Sequence, residues 1–128
     1  MESDNIFSSA NRFDLSNLLE FTEGDKKLAL KYIGIFINAA PAKLDDIQSA
    51  LARADCNLLY SALHTLKPQL ELIGVKNAFS EVEKTLAKLR ESRAVDDAIK
   101  ASGAYIFDEI TLACGELELF KNNAFKGL

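Results

Sequence analysis

The sequence predicts an all-α protein: an antiparallel up-down-up-down four-helix bundle with an additional short N-terminal helix. Three observations carry this. Apolar residues recur at helical spacing along almost the whole chain. Only Pro41 and Pro68 interrupt its 128 residues. Neither β-type alternation nor an Asn-Gly hairpin signal occurs anywhere.

The elements follow in order. A short first helix begins after Asp14, a natural N-cap, and passes through Leu15, Leu18 and Leu19 to Gly24, which reads as its C-terminal glycine. Asp25 caps a second helix whose stripe is Ala29, Ile33, Phe36, Ala40, Leu44, Ile47 and Leu51. The spacing stays in phase across Pro41, so one kinked helix or two abutting helices would fit. A second stripe on this element, Leu28, Tyr32, Ile35 and Ala39, needs either cover from the N-terminal helix or a partner. Asp55 opens the third helix and Gly74 closes it, with Leu59, Ala62, Leu63, Leu66, Leu70 and Ile73 inward.

The fourth helix runs from about Val75 to Glu91, with Val75, Phe79, Val82, Leu86 and Leu89 inward and Glu81, Lys84, Lys88 and Glu91 outward. The last runs from about Val95 to Phe120 on the stripe Ile99, Ser102, Ile106, Ile110, Ala113, Leu117 and Phe120. Short connections between long amphipathic helices favour antiparallel neighbours. Residues 1–12 read as a flexible N-terminal segment, 13–122 as the bundle, and 123–128 as a C-terminal tail. Ile33, Phe36, Leu51, Leu59, Leu63, Leu66, Val82, Leu86, Ile106 and Ile110 are expected in the core.

Bulk properties exclude several function classes. With 15 basic and 19 acidic residues the net charge is −4, and the basic residues are scattered among acids rather than gathered on one face. That argues against a nucleic-acid binder. No run of about 18 apolar residues could span a membrane, and the start MESDN has no signal-peptide character, so a cytoplasmic protein is expected. Cys56 and Cys114 belong to no CxxC pattern, and one histidine is too few for an ordinary zinc site. Free structural thiols and no bound metal are expected.

The residue with chemistry to offer is that single histidine, His64. At about 100° per residue it lies opposite the Leu59–Leu63–Leu66 stripe, sharing a face with Asn57, Tyr60, Ser61, Lys67, Pro68 and Glu71. Its ring is therefore aimed at solvent, with the Lys67 ammonium reaching the same patch. General-base catalysis would need an orienting carboxylate or a nucleophile in a pocket, and only Ser61 stands nearby, on a convex face. An inert surface histidine also fits the spacing. A phosphoryl acceptor fits as well, because a neutral imidazole is a competent nucleophile near its usual pKa of about 6.5. An adjacent ammonium can bond the transferred group.

Leu63-His64-Thr65-Leu66-Lys67, followed by Gly74, resembles the signature of histidine-containing phosphotransfer (HPt) domains. Phe13-Asp14-Leu15, Gly24-Asp25, Phe36, Leu44, Leu51, Asp55 and Val82-Glu83 extend the resemblance over most of the chain. The resemblance implies a helical phosphocarrier, without ATP-dependent kinase activity, that relays phosphoryl groups between receiver domains of hybrid sensor histidine kinases and response regulators. His64 would be phosphorylated and Lys67 would neutralise the phosphoryl group. Tyr60, Ser61, Pro68, Glu71 and Arg90 would face the partner. No cofactor is implied in this chain, since magnesium and the aspartyl phosphate would belong to the receiver, and the domain would act as a monomer. A non-phosphorylated adaptor that binds receivers is the alternative; retention of both His64 and Lys67 argues against it.

One departure stands out. The family commonly carries Gly-Ser-Ser or similar small residues after the lysine, and this chain has Pro68-Gln69-Leu70. Proline removes the N–H that would bond the His64 carbonyl and crowds it, so the helix is expected to bend or loosen over His64–Pro68.

Overall fold

The structure is a computed structural model that describes residues 12–126, with side chains through Ala124. The described residues form five helices: α1 (Ser16–Phe21), α2 (Lys26–Arg53), α3 (Cys56–Ile73), α4 (Lys76–Ser92) and α5 (Asp97–Lys126). The described residues include no strand. Each long helix packs on two others, α2 on α3, α3 on α4, α4 on α5 and α5 back on α2, which closes an up-down-up-down ring; α1 lies across α3 and α2. Two-residue connections at 54–55 and 74–75 leave no room for anything but antiparallel neighbours.

The caps explain where the helices start. Asp25 accepts from the Leu28 N–H at 3.1 Å, and Asp55 from the Leu58 N–H at 3.1 Å. Each supplies one donor of a first turn with the acceptor that the helix itself lacks. Asp14 behaves differently from its expected role as first-helix cap. Leu15 is the capping residue and offers no side-chain bond. Asp14, one residue before the cap, accepts from the Ser16 N–H at 3.0 Å and the Ser16 hydroxyl at 2.6 Å. Those two bonds, with the Lys76 ammonium at 3.1 Å, hold its carboxyl down at about 2 against an ordinary 3.8. A depressed carboxylate stabilises the fold above the unfolded pKa and ceases to as pH falls through the folded one. Asp14→Asn should therefore flatten the loss of stability between about pH 4 and pH 2 in acid titrations followed by circular dichroism; an unchanged acid limb would refute the role.

The core is contiguous through all five helices, and nine of the ten expected core residues are buried. Leu51 is the exception, half-buried in the last turn of α2. It lies against Gly103 of α5, where an added Cβ would come within 2.7 Å of the Leu51 Cδ2. The two helices approach there because α5 offers no side chain. Phe79, Ser102 and Phe120, also expected inward, are half-buried; Phe120 sits at the rim, edge-on to Phe13 with centroids 5.9 Å apart. Of the outward set on α4, Glu81 is half-buried rather than free.

The structure decides two points left open by the sequence and changes a third. First, α2 is a single helix that carries Pro41 inside it. Second, α5 extends through Lys126, so the expected tail from 123 is helical up to that point and only 127–128 lie outside the described residues. Of the expected flexible segment 1–12, residues 1–11 lie outside the described residues too. Arg12 is bound to α5: its Nη1 reaches Glu116 Oε2 at 2.6 Å, its Nε reaches Glu109 Oε2 at 3.4 Å, and its backbone N–H donates to Glu116. Third, α1 covers only part of the second apolar stripe of α2. Phe21 meets Tyr32 edge-on at 5.5 Å, while Ile35 stays 53% exposed.

Cys56 and Cys114 are free thiols, and burial with the nearby Glu118 charge pushes the Cys114 thiol up to about 11. No helix among the described residues is long and apolar enough to cross a membrane, and no group of three potential metal ligands occurs among them.

Candidate functional site

Helix α3 sets the site. Its buried row, Leu59, Ala62, Leu63, Leu66 and Leu70, faces α2 and α4, which turns His64 and Thr65 to solvent. The helix ends at Gly74 in the left-handed conformation, with the Gly74 and Val75 N–H groups both donating to the Leu70 carbonyl at 2.9 Å. The Gly74 carbonyl in turn accepts from the Asp14 N–H at 2.9 Å, which fastens the chain before α1 to the end of α3.

His64 is exposed, and three neighbours define its surroundings. Tyr60, one turn earlier, lies nearly parallel to the imidazole, with centroids 5.9 Å apart and planes 18° from parallel. The Tyr60 hydroxyl accepts from Arg90 Nη1 at 3.0 Å, and the Arg90 guanidinium carbon stands 6.0 Å from the same ring's centroid. Lys67, one turn after His64, is half-buried, and its ammonium lies 3.6 Å from Glu83 Oε2 on α4.

Two open grooves flank this face. One, of about 620 Å³, lies one turn before His64 and is lined by Asn57, Tyr60, Ser61, Leu89, Arg90 and Arg93 among others. The second, of about 510 Å³, lies one turn after it between Pro68, Glu71 and Leu72 of α3 and Asn17, Glu20 and Phe21 of α1. Helix α3 continues unbroken to Ile73 with Pro68 inside it and exposed. The structure thus brings Tyr60, His64, Lys67 and Arg90 to one face and puts Ser61 in one groove, Pro68 and Glu71 in the other.

Sequence reasoning did not find Glu83 as the partner of Lys67, nor Phe21 and Arg93 as groove walls. The pairs 67–83 and 60–90 join different helices, and their register depends on how α4 settles on α3. No periodicity within one helix carries that information.

The chain is a closed antiparallel four-helix bundle with His64 exposed on its second long helix. The chain is similar in structure to the HPT domain from the Hpt sensor hybrid histidine kinase from Shewanella, at 18% sequence identity, with a TM-score of 0.79 over 88% of this chain and 95% of that one. At that identity the likeness establishes the fold. No protein-family model matches the chain, and no curated protein matches it in sequence.

Proposed function

We propose that this protein is a phosphocarrier of two-component signalling, which accepts a phosphoryl group on His64 from the aspartyl phosphate of a receiver domain and passes it to another. The observation that carries the reading is the placement of an exposed His64, with Lys67 one turn on, at the face of α3 between two open grooves in an HPt-type bundle. A convex helix face leaves room for a second protein to bring its acyl phosphate to the imidazole. A substrate pocket would not.

In the transfer, the lone pair of the unprotonated imidazole nitrogen attacks phosphorus. The P–O bond of the acyl phosphate breaks, and its electron pair leaves with the receiver's aspartate as a carboxylate. The other ring nitrogen keeps its proton, so the imidazole carries the positive charge of the new P–N bond until a second receiver's aspartate takes the phosphoryl group. In this reading the Lys67 ammonium bonds the phosphoryl oxygens and gives up its contact with Glu83. Magnesium would be held by the receiver. Hybrid sensor kinases and response regulators, with receiver domains of this chemistry, are the partner class the reading names.

The test is incubation with a panel of receiver domains charged with radiolabelled acetyl phosphate. Acid-labile, base-stable label on the protein is expected. Lys67→Ala should take up label roughly 10- to 100-fold more slowly, the equivalent of losing one hydrogen bond to a charged group worth about 1.5–3 kcal/mol. Stable receiver binding with no label at all would sink the carrier reading and leave an adaptor.

A further inference from the structure

The contact between Tyr60 and His64 has no place in the sequence reading, which put Tyr60 against the partner. We propose that Tyr60 is a positioning residue for His64: its ring, anchored from α4, fixes the plane of the imidazole that receives the phosphoryl group. This rests on the phosphoacceptor reading above.

The argument begins with the histidine's own freedom. Rotation about the bond to an imidazole is broad and roughly two-fold, so an exposed ring on a convex face has no preferred plane of its own. Here the ring lies 18° from parallel to Tyr60, with centroids 5.9 Å apart, within the range of an offset stack. Residues four apart on a helix are neighbours, so the stack needs no distortion of α3.

Tyr60 can serve as a wall because it is itself held. It is half-buried and packs on the core. Its hydroxyl is tied to Arg90 across the α3–α4 boundary, and the guanidinium carbon stands 6.0 Å from the ring centroid, at the hydroxyl end. In-line attack on phosphorus requires the nitrogen lone pair to lie along the scissile bond, so a ring held in one plane spends more of its time ready to react. Arg90 then acts at one remove, through Tyr60.

The experiment uses the whole chain and two variants, with the same charged receiver panel. Because His64 is the only histidine, ring proton and nitrogen resonances report on it alone. Tyr60→Leu should shift those resonances through loss of the ring current and lower the maximal rate of phosphoryl uptake roughly 10-fold or more. KM for the receiver should barely change. Tyr60→Phe, which keeps the ring but loses its hydroxyl bond to Arg90, should fall between wild type and Tyr60→Leu in both the resonances and the maximal rate. Wild-type resonances in the leucine variant, a wild-type maximal rate, or a rise in KM alone would each overturn the proposal. The last outcome would make Tyr60 a contact for the receiver. The resonances are read on the unphosphorylated protein, so they judge the stack whether or not label is taken up. Absence of label from the wild type would count against the phosphoacceptor reading.

Discussion

His64→Gln should abolish uptake of acid-labile phosphoryl label while leaving the bundle folded. Glutamine has no nucleophilic ring nitrogen, and the chain contains no second histidine to stand in. The stability cost should be small, within about 0.5 kcal/mol, because the side chain is exposed and its only described ring contact is with Tyr60. Far-ultraviolet circular dichroism and thermal unfolding would check the fold, and the charged receiver panel would check the chemistry. Acid-labile label on the glutamine variant at the wild-type rate would disprove the assignment, since a P–N bond would then have formed elsewhere.

Gly74→Ala should be among the most damaging single substitutions outside the core, at about 3 kcal/mol or roughly 10 °C in midpoint. Two effects act together. Its φ of +81° is a left-handed conformation that costs an L-residue about 1–2 kcal/mol. An added Cβ would also overlap the carbonyl of Asp14, with the Asp14 nitrogen only 3.0 Å away. Backbone cannot swing aside as a side-chain tip can, so α1 would have to lift from the end of α3. Gly24 is the internal control. It has a φ of +78° but nothing within 4 Å of an added Cβ, so Gly24→Ala should cost only the conformational part. Equal losses at the two positions in thermal unfolding would show that the Asp14 clash is relieved cheaply.

How much of this was legible in the sequence follows from the range of each interaction. Helix identity, the Asp25 and Asp55 caps and the Gly74 terminus depend on residues within one or two turns, and the sequence carries them. The outward aim of His64 follows from the same local geometry. What required coordinates depends on contacts between distant residues: Leu51 settling half-exposed over Gly103, Arg12 clasping Glu109 and Glu116, and Glu83 meeting Lys67. The length of α5 was misjudged for another reason. Beyond Phe120 the apolar stripe gives way to Lys121-Asn122-Asn123, whose polarity resembles a loop although nothing in it forbids a helix. Pro41 and Pro68 also proved compatible with continuous helices.

The pairing of Lys67 with Glu83 amounts to an ion-exchange site with room for one cation. At 3.6 Å in water the attraction is about 1 kcal/mol, and partly exposed pairs of this kind yield about 0.2–1 kcal/mol net. A phosphoryl group carrying nearly two negative charges at similar range would attract the same ammonium about twice as strongly. Transfer of Lys67 from one counterion to the other should therefore run downhill, without any helix moving. What remains is Glu83, half in solvent and newly uncompensated, beside a phosphoryl dianion whose charge the imidazolium partly offsets. The phosphorylated face would then differ from the resting one mainly in its electrostatic field, and a partner could sense that difference at distances set by the Debye length, about 8 Å at physiological salt.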